Sequence, residues 1–282
     1  MRLRAMTRAT LAAIAGAALF TASKDAEAAK PWIERPLSLE TLHAQIQAGV
    51  GFGQYTDGVS GSSKFGAGSN LEAAIGLPFF GELSLRTGYR FGLPGRAAQA
   101  DYYARLFDHE TANMGGDAWA NPEIRLRGSI VDVEVAAVGL ETRFVVPLAD
   151  GSNFSIAPGL PVVFRIPKLA RIDTGIFVPI AFNDQTQYTI SVPAQLWFQV
   201  DDFFFGPMTG IRYNRIATIN IDTTGAKTNS TTTRTDIPLG LGAGYTLSGM
   251  LDIKAQLYML RVNDSDWSRT IGGGLGVAVL LP

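Results

Sequence analysis

His43 and His109 are the two imidazoles of this 282-residue chain. His109 sits in Asp108-His109-Glu110, where flanking carboxylates can polarise a ring for proton transfer. A metal centre needs donors that converge, and one imidazole between two sequence-adjacent carboxylates cannot supply them without another loop. His43 has no obvious partner. The chain has no cysteine, which excludes disulfides, thiolate metal sites, a cysteine nucleophile and a lipid anchor on cysteine. No phosphate loop or dinucleotide fingerprint is present. A formal charge of -1 gives no electrostatic footprint for nucleic acid. The expectation is a non-enzymatic protein without metal or cofactor.

The spacing of the other charges is more informative. Glu123, Arg125 and Arg127 recur every second residue, as do Glu141 with Arg143, and Arg171 with Asp173. A period of two puts such side chains on one face of a β-strand. Arg86, Arg90, Arg165, Arg212 and Lys254, with Glu72, Glu82, Asp236 and Asp252, fall on the same kind of polar face. Arginines opposite carboxylates on a closed inner wall would either line a narrow polar path, favouring small polar or anionic solutes, or pair up and close it.

The elements that must position these charges follow from the same alternation. Along residues 187–200, Gln187, Thr189, Ser191, Gln195 and Gln199 oppose Tyr188, Ile190, Val192, Ala194, Leu196, Phe198 and Val200. Twelve such segments are expected, at 42–55, 69–78, 82–91, 123–131, 135–147, 153–166, 169–182, 187–200, 203–216, 235–247, 250–262 and 269–281. Several are longer than the usual five or six residues and suit a tilted bilayer crossing. Their apolar faces carry almost no charge, as a lipid-facing band requires. Tight turns alternate with long connections at 92–122 and 218–234. An unbroken strand through residues 131–135 would put Asp132 and Glu134 on the lipid face near its middle, at a cost of a few kcal/mol, so a turn is expected there. Aromatic residues gather near both ends of the strands, where a membrane interface favours them.

The first 28 residues read as an export leader: Arg2, Arg4 and Arg8, a short apolar run from Leu11 to Phe20, then Ala26-Glu27-Ala28. Residues 29–41, with Pro31 and Pro36, read as a periplasmic lead-in, and residues 42–282 as the barrel. Taken together, the chain resembles the bacterial outer-membrane β-barrel class, porin-like, with no subfamily motif. The implied fold is all-β: a membrane-spanning, up-and-down antiparallel β-barrel of about twelve strands. Implied partners are outer-membrane lipids, the barrel-assembly machinery and small solutes, with no nucleic acid. Members usually end on an aromatic residue, whereas this chain ends Leu281-Pro282.

Function then turns on the lumen. The expected pore-lining residues are Arg86, Arg90, Glu123, Arg125, Arg127, Glu141, Arg143, Arg171, Asp173, Arg212 and Lys254. Inward glycines at 49, 51 and 53, at 240, 242 and 244, and at 272, 274 and 276 either leave space or relieve crowding in a curved wall. The connection at 92–122 is too long for a plain link. Tyr102, Tyr103, Phe107, His109 and Trp119 are its candidates for a constriction. The expected function is a narrow passive or weakly selective channel in the outer membrane. The alternative is a closed structural or adhesive barrel, with a barrel hydrolase a distant third.

Overall fold

The computed structural model describes residues 30–56, 63–78, 81–91, 104–108, 118–148, 153–182, 186–221, 227–247, 249–265 and 267–282. The expected leader, Tyr102, Tyr103 and His109 lie outside these residues.

Twelve antiparallel staves form one closed sheet. They are β1 (Ala44–Thr56), β2 (Ser63–Leu77), β3 (Gly81–Phe91), β4 (Glu123–Val133), β5 (Ala136–Val145), β6 (Ser155–Ile166), β7 (Ala170–Phe177 continued by Ile180–Ala181), β8 (Gln187–Val200), β9 (Phe203–Ile221), β10 (Lys227–Asp236 continued by Leu239–Leu247), β11 (Leu251–Met259) and β12 (Ile271–Leu281). Each pairs with its sequence neighbour, and β1 pairs with β12 from Ala44↔Leu281 to Gly53↔Gly272, which leaves no open edge. The breaks in β7 and β10 contain Pro179 and Pro238, residues that lack the N–H a ladder needs. Asp201 (φ 52°) and Lys168 (φ 62°) adopt left-handed backbone in the tight turns after β8 and β6.

The expected turn between residues 131 and 135 is present at Glu134-Val135, and a bulge adds a second device. Register runs Ser129↔Gly139 and then Val131↔Val138, so one extra residue flips parity. Asp132 is thereby turned inward, where it accepts a hydrogen bond from Arg165 at 2.9 Å. One expectation needs correction. Residues 218–234 read as a loop, yet β9 continues to Ile221 and its partner resumes at Lys227, with Ile219 opposite Asn229. Threonine-rich sequence there is β-branched and polar, which suits a two-stranded ribbon standing beyond an apolar band.

The faces are inverted relative to a water-soluble protein. Val50, Leu71, Leu85, Leu140, Leu241 and Leu275 are exposed on the outside, each between 47% and 63%. An apolar belt running round the whole barrel far exceeds the patch a monomeric soluble protein leaves bare. Aromatic residues flank it: Phe203 and Phe205 near the short turns, Phe144, Phe154 and Phe182 toward the other rim. The interior holds the charges, with Glu72, Glu82, Arg86, Arg90, Glu123, Glu141 and Arg143 all buried.

Candidate functional site

Two segments that belong to no strand enter the barrel. Residues 30–40 fold back through the end that carries the short turns and both strand termini. Residues 104–108, from the long connection between β3 and β4, descend from the other end. The N-terminal segment, expected as a lead-in, is therefore part of the lumen filling.

Its backbone is held by wall side chains. Ile33 N–H donates to Gln199 Oε1 at 3.1 Å, Leu37 N–H to Asp132 at 3.3 Å and Leu39 N–H to Glu82 at 3.1 Å. Arg171 and Arg165 donate to the Arg35 carbonyl at 2.8 and 3.1 Å. Arg35 itself forms a two-pronged pair with Asp252 at 2.5 and 2.9 Å. Trp32 lies flat on Phe204, with centroids 4.5 Å apart and planes 5° apart, and edge-on to Trp197. Lys254 and Arg35 sit over its ring at 4.7 and 5.2 Å. The backbone crosses the wall so closely at Gly76 that any Cβ would strike the Glu40 carbonyl.

The second insert is bound by three glutamines on separate staves. Gln47 donates to the Arg105 carbonyl at 3.4 Å, Gln195 to the Phe107 carbonyl at 2.7 Å, and Gln256 accepts from Phe107 N–H at 2.9 Å. Leu106 packs at Gly49 and Gly276, where an added methyl group would collide with the insert. Phe107 reaches the aromatic cluster of Trp32, Trp197 and Phe204. The inward glycines of β1, β10 and β12 thus make room, and the room is occupied. At Gly242 the neighbours are Trp197 and Phe107, and at Gly244 Phe204.

Asp108, in this insert, sits among arginines. Its carboxylate accepts from Arg86 at 2.5 Å, Arg143 at 2.8 Å and Arg125 at 3.1 Å. Burial alone would raise its pKa. The guanidiniums of Arg143, Arg86 and Arg125 outweigh burial and hold it well below the usual carboxylate range. Around this point the wall forms a network: Arg86 pairs with Glu72, Arg125 with Glu72 and Glu82 at 2.6 and 2.8 Å, and Arg143 and Arg127 with Glu141, both at 2.5 Å. Glu123 stands 3.5 Å from both Arg86 and Arg143.

Of the residues singled out in the sequence, Arg86, Glu123, Arg125, Arg127, Glu141 and Arg143 converge in this network. Arg171 pairs with Asp173 at 2.8 Å, and Lys254 donates to Gln47 at 2.8 Å. Arg212 faces inward opposite Asp236 on the neighbouring stave, and Arg90 is buried on the same face of β3 as Arg86, four residues along. Phe107 is in the lumen. Trp119 is not: it meets the outward Tyr89 edge to face at 4.8 Å and is 65% exposed. Sequence reasoning missed Trp32, Arg35, Trp197 and Phe204. For the last two, inward parity next to inward glycines was the available signal. Trp32 lies in a segment too short and too proline-flanked to show a period.

A cavity of about 420 Å³ remains, lined by both inserts and reaching the short-turn end near Leu280 and Gly249. Cations on its wall, among them Lys30, Arg35, Arg127, Arg171 and Lys254, outnumber its carboxylates. His43 lies at its rim. Among the described residues no cluster of histidine and acidic side chains could hold a metal ion.

No protein-family model and no curated protein matches the chain. Among solved structures, it is similar to an outer membrane channel from Pseudomonas putida F1, with TM-score 0.57, 10% identity, and coverage of 90% of this chain and 100% of the other. It is also similar to the NanC porin, with TM-score 0.50, 9% identity, and coverage of 84% and 99%. At these identities the likeness is one of fold. The chain has the architecture of the bacterial outer-membrane β-barrels, here with twelve strands.

Proposed function

We propose that the protein is an exported outer-membrane channel for small polar or anionic solutes, non-enzymatic, whose lumen is narrowed by two inserted segments. The observation that carries the proposal is the pairing of a continuous apolar exterior with a charged lumen that still holds a cavity of about 420 Å³. A purely structural barrel can fill its interior with side chains of its own wall. Here part of the filling comes from segments that are not wall and whose departure would leave the sheet closed. The surplus of cations along the cavity favours anions over cations, a preference that scales with how much of the path they line. In this reading the short-turn end faces the periplasm, the outer band contacts membrane lipid, and the barrel-assembly machinery inserts the chain.

The two similar solved structures, one an outer membrane channel and the other a porin, support this reading. A second reading, a closed structural barrel, is favoured by the same inserts, since together they occupy much of the lumen. Planar-bilayer recording under a salt gradient separates the two. Conducting steps with a reversal potential on the anion side support the channel. A folded barrel that never passes current supports the closed form.

A further inference from the structure

We propose that Arg86, Arg125 and Arg143 form a binding site for the carboxylate of a small monoanionic solute, and that Asp108 fills this site as an internal stand-in. The proposal rests on the lumen being a solute path.

The wall builds the site independently of its occupant. Arg125 and Arg143 are register partners, directly opposite one another on β4 and β5. Like charges in that position repel unless something negative lies between them. Arg86, on β3, faces Glu123 across the pair of staves and turns a guanidinium nitrogen to the same point. Without Asp108, three buried donors would aim at one position with no acceptor on it. The carboxylate that meets them is supplied by the connection between β3 and β4 rather than by the wall. That insert is held in a strained form, with Leu106 (φ 43°) and Phe107 (φ 70°) both left-handed.

The charge balance sets the class of ligand. Arg86, Arg125, Arg127 and Arg143 are matched in number by Glu72, Glu82, Glu123 and Glu141, and the insert brings Arg105, 3.9 Å from Glu123, together with Asp108. Replacing the Asp108 carboxylate alone therefore calls for a single negative charge. A monocarboxylate reproduces that charge and its two oxygens. A polyanion would bring further charge against four glutamates and is disfavoured. The adjoining cavity of about 420 Å³ suits a solute of the size of a sugar acid.

The test is calorimetric titration of the full chain, folded in detergent, with gluconate, with neutral sorbitol and with citrate. Saturable binding of gluconate, and not of sorbitol or citrate, is expected. Asp108→Asn removes the competitor's charge and should tighten gluconate binding about tenfold, because a larger fraction of the protein is then competent. Asp108→Ala should do the same, and Arg143→Gln in either background should abolish binding. Unchanged heat-resistant migration in each variant establishes that the barrel is folded. Gluconate binding no tighter in both Asp108 variants, or citrate binding as well as gluconate, overturns the proposal. Binding is read here without current. A non-conducting barrel that binds gluconate therefore defeats the channel reading but keeps the site, and a conducting barrel indifferent to gluconate does the reverse.

Discussion

Trp32, which precedes the first strand, and Phe107, from the connection between the third and fourth, meet edge to face inside the barrel with ring centroids 6.0 Å apart. One residue enters from the short-turn end and the other from the long-loop end. Each also packs on Trp197 of the wall. The two inserts are therefore mechanically joined, and loosening one removes a support of the other.

Trp32→Ala removes a flat stack on Phe204, two edge contacts and two cation–π contacts. Truncating a buried aromatic of this kind costs about 3 kcal/mol or more, which raises the population of the released insert about a hundredfold. The strands do not depend on Trp32, so circular dichroism and heat-resistant migration should be unchanged. Single-channel recordings should show larger or longer openings than the parent protein.

Gly49→Val acts on the other insert from the wall side. A Cβ at this position meets the Ala104 carbonyl, and a β-branched side chain suits the strand itself. The expected result is an intact barrel with residues 104–108 displaced. It is checked by limited proteolysis near Ala104 and by an increase in conductance.

Much of the wall was legible from alternation alone, because an inverted barrel writes both faces into every strand. Glu123, Arg125 and Arg127 against Ile124, Leu126 and Ile130 is a sufficient example. The turn at Glu134 was legible through the cost of burying charge in lipid. The bulge that turns Asp132 inward was less so, since its one mark is the change of phase at the consecutive apolar residues Ile130 and Val131. Of the inserts, only Phe107 was legible, from the length and aromatic content of the connection at 92–122; their contacts were not. Residues 30–40 and 104–108 have no repeating backbone geometry, and their contacts are with side chains distant in sequence, such as Gln256 for Phe107 and Asp252 for Arg35.

Arg125→Gln and Arg127→Gln remove cations from the network while leaving Glu72, Glu82 and Glu141 in place. Ion preference should move toward cations, read as a shift in reversal potential. For Arg125, breaking a buried network by removing one partner also costs about 3–5 kcal/mol, so its heat-resistant form should convert at lower temperature. Unaltered selectivity in both variants would place these residues off the path.

The dependence on pH follows from Asp108. Arg143, Arg86 and Arg125 hold its carboxyl well below the ordinary value of 3.8. A depressed carboxylate contributes its docking energy above the ordinary pKa and loses it only as pH falls through the lowered value. Asp108 should therefore leave conductance unchanged between about pH 7 and about pH 5, and raise it only in stronger acid. A rise centred near neutrality would show that another group controls the insert.

The most direct test is a paired planar-bilayer recording of the parent chain and Trp32→Ala, both shown to be folded, under the same salt gradient. The expected result is small or infrequent steps in the parent, larger ones in the variant, and an anion-side reversal potential in both. Silence from both folded barrels would contradict the account and leave a structural role for the fold.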